Sequence, residues 1–69
     1  MRVEDVERLK NWLERRGALG GFNAELIEDA IFCVKNGSDY RAEGSLKTLA
    51  HNLRNEGKSE DADEVERFL

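Results

Sequence analysis

The chain contains no proline, a single cysteine and a single histidine. It also has no apolar run approaching the roughly 20 residues that a membrane-spanning helix needs. Each scarcity excludes something. Cys33 alone permits no intrachain disulfide, so the fold must hold by packing, and the free thiol suits a reducing compartment. One cysteine and one histidine, His51, are too few for a zinc site without several carboxylates, and no metal or other cofactor is expected. The start, Met1-Arg2-Val3-Glu4-Asp5, is acidic where a secretory leader is basic and then apolar, so a cytoplasmic location is expected. Without proline and with few β-branched residues, nothing favours strands over helices.

What is present is charge and leucine. Hydrophobic residues make up 39% of the 69 positions and charged residues 38%. The length fits one domain, residues 1–69, near the lower limit for a self-sufficient core. Small scaffolds of this kind are reinforced by close packing or by self-association when disulfides and metals are absent. Acidic residues number 15 against 11 basic ones, a net charge of −4, which weighs against a nucleic-acid-binding surface.

Apolar spacing predicts four helices. Val6, Leu9 and Leu13, widened by Val3 and Trp12, mark a first helix from Val3 to Arg16, stopped by Gly17. Gly17-Ala18-Leu19-Gly20-Gly21-Phe22 then reads as a turn whose Leu19 and Phe22 plug the core edge. It lacks the following Lys and Ser/Thr of a phosphate-binding loop. Asn23 is the expected N-cap of a second helix, Ala24 to Asn36, with Leu26, Ile27, Ala30, Ile31, Cys33 and Val34 in one broad arc. A third helix is expected from Asp39 to about Glu56, with Ala42, Leu46, Leu49, Ala50 and Leu53 as its seam. Gly57 ends it. Ser59 or Asp61 would cap the fourth, Asp61 and Glu64 having capping-box spacing. Ala62, Val65 and Leu69 form the facing stripe, with Phe68 at its flank. The expected fold is an all-α, four-helix domain built from two antiparallel hairpins. Its core is Ile27, Ala30, Ile31, Leu46, Leu49, Leu53, Val65 and Leu69.

Leu46, Leu49, Ala50, Leu53 and Gly57, followed by Ala62, run in the order of large apolar, leucine, small, leucine, turn glycine and small. In this order residues 46–69 resemble one tetratricopeptide-repeat unit, departing from its pattern at Ser59 and Glu66. The resemblance implies an antiparallel hairpin in which two alanines let the helices approach. A peptide-binding groove would need about three or more such units.

Groups able to carry chemistry are sparse. His51 stands off the leucine seam with no nucleophile or orienting carboxylate assigned to it, and Cys33 sits on an apolar helix face as a buried thiol. Glu25 and Asp29 share a helix face, where the plain reading is a solvated acidic surface. No small-molecule substrate is evident, and no enzyme is expected. A helix-turn-helix drawn over Leu46 to Val65 fails at its long turn and at an acidic second helix carrying Glu60, Asp61, Asp63, Glu64 and Glu66.

The expected function is therefore a non-catalytic protein–protein interaction module presenting helix faces to a protein partner or to a second copy in a homodimer. Phe32, Trp12, Tyr40 and Phe68 are the candidate aromatic anchors. Phe32 projects opposite the apolar arc of its helix, beside Glu25, Glu28 and Asp29. Either another helix or Tyr40 covers it, or it is an exposed anchor. The alternative is a nucleic-acid-associated regulator using Arg8, Lys10, Arg15 and Arg16 on the first helix. A third class, an acidic decoy for another protein's nucleic-acid site, fits the acidic residues but not the basic ones among them.

Overall fold

The computed structural model describes residues 1–69 and is all-α. Helix α1 spans Val3–Arg15, α2 Phe22–Lys35, α3 Asp39–Asn55 and α4 Ser59–Glu66. No helix is long and apolar enough to cross a membrane. The stops of the first three helices arise from one local device. At the end of α3 the Leu53 carbonyl accepts from the Lys58 N–H at 2.8 Å, and the Arg54 carbonyl from the Gly57 N–H at 3.1 Å. This pairing requires a left-handed residue between them, which Gly57 supplies at φ +81°, without the Cβ clash other residues would meet. The same double bond closes α2 at Gly37 and α1 at Gly17. These three glycines are evenly spaced, and Leu13, Cys33 and Leu53, four residues before each, are all buried. Each helix thus leaves the core in the same rotational phase.

Consecutive helices pack side by side, most closely α2 against α3 and α3 against α4, while α1 lies on α2 and closes more sparsely against α4. This arrangement is consistent with two hairpins. The buried cluster draws on all four helices: Val6, Leu9 and Leu13; Leu26, Ile27, Ala30 and Ile31; Leu46, Leu49 and Leu53; Ala62 and Val65. The radius of gyration, 10.6 Å, matches the roughly 11 Å expected of a well-packed chain this long. Close packing is achieved without any covalent staple.

Four expectations are corrected. Leu69 is not core but 47% exposed, and Phe68 packs against the core in its place. The reason is local: after Glu66 the chain tightens, with Phe68 N–H donating to Val65 and Leu69 N–H to Glu66. Such i→i+3 bonds eclipse residues three apart, so Phe68 falls over Val65 and Leu69 turns outward. Phe22 begins α2 and is exposed, while Ala18 and Leu19 fill the edge it was expected to plug. Asn23 does not cap α2, which begins one residue earlier behind Gly21 without a side-chain cap. Likewise Lys58 occupies the N-cap of α4, and neither Ser59 nor Asp61 caps it.

Candidate interaction surfaces

Asn23 and Asp61 are the only polar residues fully withdrawn from water, at 2% and 4% exposure. Burial without partners would cost each of them dearly, and both are satisfied from distant parts of the chain. Asn23 Nδ2 donates to the Ala18 carbonyl at 3.3 Å and to the Glu56 carboxylate at 3.1 Å. Its Oδ1 accepts from Asn52 Nδ2 at 3.4 Å. Asn23 therefore ties the α1–α2 turn to the end of α3. Asp61 accepts from Arg16 Nε, Glu60 meets the same guanidinium at 3.3 Å, and the guanidinium lies 4.6 Å from the Trp12 ring centroid. The hydrogen bond to Asp61 holds Arg16 above the ordinary arginine value. This cluster clasps the C-terminal end of α1 to the N-terminal end of α4, so the two run antiparallel.

Beyond the clasp the α1–α4 seam opens into a groove of about 500 Å³. Leu9, Trp12 and Phe68 line it, with Asp5, Arg8, Glu64 and Arg67 along its rim. Two of the four candidate anchors, Trp12 and Phe68, thus meet at one site, each half-buried. Phe32 and Tyr40 stay apart from it. Phe32 is 65% exposed on the outward face of α2, and Tyr40 is 88% exposed at the start of α3. Neither another helix nor Tyr40 covers Phe32. On the same helix Asp29 accepts from Ser45 Oγ at 2.5 Å, so part of the acidic surface near Phe32 is bound to α3.

The four basic residues of α1 and its C-cap, Arg8, Lys10, Arg15 and Arg16, do not form a free patch. Lys10 meets Glu28 at 2.6 Å, which raises its pKa; Arg8 meets Asp5 at 3.4 Å, and Arg16 is held in the clasp. Arg15 alone has no ion-pair partner. Phosphate binding requires cations that can exchange counterions for phosphates, and three of these four already have carboxylates. His51 is exposed with Asn55 Nδ2 3.1 Å from its Nε2. The Cys33 thiol is buried, 3.9 Å from an Asp29 oxygen. No group of three or more His, Cys, Asp or Glu side chains is arranged to hold a metal ion.

Reasoning from sequence missed the two buried polar residues. Asn23 carries the signal of an N-cap and Asp61, with Glu64, that of a capping box, and both signals are local. Their charged partners, Glu56 and Arg16, lie 33 and 45 positions away in the chain, a separation at which no spacing rule operates. Compared with family models, with curated proteins and with solved structures, the chain matches none.

Proposed function

We propose that this chain is a non-catalytic protein–protein interaction module that works by presenting helix faces to a protein partner or to a second copy, in a reducing, cytoplasmic setting. The observation that carries the reading is the position of Phe32 and Tyr40. A phenylalanine left in water forgoes roughly 1.5–3 kcal/mol of burial free energy, and the core closes without either residue. Aromatic side chains that project from rigid helices in this way supply contact area at little entropic cost, which is why they dominate interface energetics. Residues 46–69 serve in this reading as a tetratricopeptide-like hairpin that acts as scaffold; burial of Ala50 and Ala62 supports that packing role. The α1–α4 groove, with Trp12 and Phe68, offers a second contact area.

The test is cross-linking in cells with the tagged chain, wild type beside Phe32→Ala. Recovery of the cross-linked partner should fall with Phe32→Ala while the helical circular dichroism signal stays the same. Equal recovery from both chains would remove Phe32 as an anchor.

A further inference from the structure

The glycines that stop the first three helices are preceded by Arg16, Asn36 and Glu56. Of these only Asn36 carries a carboxamide. The chain has four other asparagines, and they precede Trp12, Ala24, Leu53 and Glu56, so Asn36-Gly37 is its one Asn-Gly pair. An asparagine before glycine is the pair most open to attack by its own backbone, because no side chain hinders the approach of the next nitrogen. The fold cannot readily exchange Gly37 for a bulkier residue, since it holds φ +76° in the turn that ends α2. The most reactive asparagine is thereby kept at the joint of α2 and α3, where both residues are exposed to water.

We propose that Asn36 is a site of spontaneous deamidation, gated by local opening of the α2 C-cap. The Gly37 nitrogen attacks Cγ of Asn36. An N–Cγ bond forms, the Cγ–Nδ2 bond breaks, and ammonia leaves; the proton lost from Gly37 is matched by the one that ammonia takes up. Water then opens the cyclic imide at either carbonyl. The products are an aspartate and an isoaspartyl link, in which the main chain runs through Cβ. The chemistry needs only water.

The closed joint blocks this attack. Asn36 has ψ 12°, so the Gly37 nitrogen nearly eclipses the backbone nitrogen of Asn36 and is turned away from Cβ, where ring closure needs it. The Gly37 N–H donates to the Val34 carbonyl at 3.1 Å and the Ser38 N–H to that of Cys33 at 2.8 Å, which fixes the peptide. The carboxamide is held as well, Nδ2 donating to the Phe32 carbonyl at 2.7 Å. Bringing nitrogen and carboxamide into line breaks all three bonds, each worth about a factor of five in population. The folded chain should therefore convert about a hundredfold more slowly than the unfolded one. Each product loosens the joint. Aspartate loses the donor to Phe32 and sets a negative charge at the C-terminal end of α2, where the helix dipole disfavours it. The isoaspartyl link lengthens the main chain inside the turn. Both place a carboxylate one turn beyond Phe32, so the exposed side of α2 gains negative charge as the chain ages.

The test incubates the full chain in mildly alkaline buffer, native and in urea, and samples it over time. Mass spectrometry of proteolytic peptides reads the change from amide to acid at each asparagine, and isoaspartyl methyltransferase labels the rearranged product. Asn36 should convert ahead of the other four asparagines, and about a hundredfold faster in urea. Lys35 is exposed in the last turn of α2 and joins no ion pair in the fold. Lys35→Gly should fray that turn and speed native conversion about three- to fivefold, leaving the rate in urea near that of the wild type. Another asparagine converting first, or an Asn36 that stays intact in urea, overturns the site. Native and urea rates within about tenfold of each other, or a native rate that Lys35→Gly leaves unchanged, overturn the gate. Protection beyond about a thousandfold also overturns it, because it would place the gate at global unfolding.

Discussion

Asn23→Asp separates a local reading of this chain from the tertiary one. Aspartate is as good an N-cap as asparagine and, near a helix N-terminus, gains up to about 1 kcal/mol from the dipole. A capping role therefore predicts a neutral or slightly stabilising change. The structure predicts the opposite. Asn23 Nδ2 donates to both the Ala18 carbonyl and the Glu56 carboxylate, and an ionised aspartate can donate to neither. Losing the bond to a charged acceptor costs about 1.5 kcal/mol, at the low end of the range because Glu56 is exposed, and losing the neutral bond costs about 1 kcal/mol. Setting a buried carboxylate against Glu56 and a carbonyl oxygen adds about 1 kcal/mol more. Less the dipole gain, the net loss is about 2–3 kcal/mol, out of the roughly 4–10 kcal/mol that holds a domain of this size. Urea unfolding followed by circular dichroism and by Trp12 fluorescence should show a lower midpoint at unchanged slope. The melting temperature should fall by roughly 10–20 °C. A variant within about 0.5 kcal/mol of wild type would refute the reasoning and return Asn23 to a capping role.

Arg16→Ala strips the buried Asp61 of its donor and Trp12 of its stacked cation, so it should lower the melting temperature. Adding Asp61→Leu should recover part of that loss, and a double variant no more stable than Arg16→Ala would show that the clasp is not where the energy lies. The α-amino group of Met1 meets Asp39 at 2.7 Å, and this hydrogen bond raises its pKa above the ordinary 8.0. Stabilisation from the pair is thus complete below pH 8 and is lost as pH rises through the higher folded-state value. An Nα-acetylated chain should lose that step in a plot of melting temperature against pH, and its persistence would assign it to another group. Phe68→Ala should cost about 2 kcal/mol for a half-buried aromatic, whereas Leu69→Ala should stay within about 0.5 kcal/mol. Urea titrations of both variants check the order, and a reversed order would put Leu69 back in the core.

Much of the fold is legible because the first three helices stop on short-range chemistry. Gly17, Gly37 and Gly57 each follow a helix by two residues, and the left-handed turn that each makes is a property of the few residues around it. The apolar stripes place Leu13, Ile27, Leu46, Leu49, Leu53 and Val65 in the core for the same reason, since a 3.6-residue period is written in the chain itself. Leu69 breaks that reasoning because the period changes after Glu66, and nothing in the residue order announces a switch to three residues per turn. The candidate surfaces are half legible. That Phe32 opposes the apolar arc follows from spacing, but whether anything covers it depends on where α3 settles.

By itself, then, the sequence determines an all-α chain of four helices, where the first three end, and which face of each turns inward, because these follow from backbone conformation and periodicity within a few residues. Only the tertiary structure decides that Asn23 and Asp61 are buried bridges rather than caps, that Lys10 and Arg16 are tied to carboxylates, and that Trp12 meets Phe68 while Phe32 and Tyr40 stay in water. Each of those outcomes is a meeting of side chains from different helices. The free energy of such meetings depends on distance and burial in space, which residue order alone does not specify.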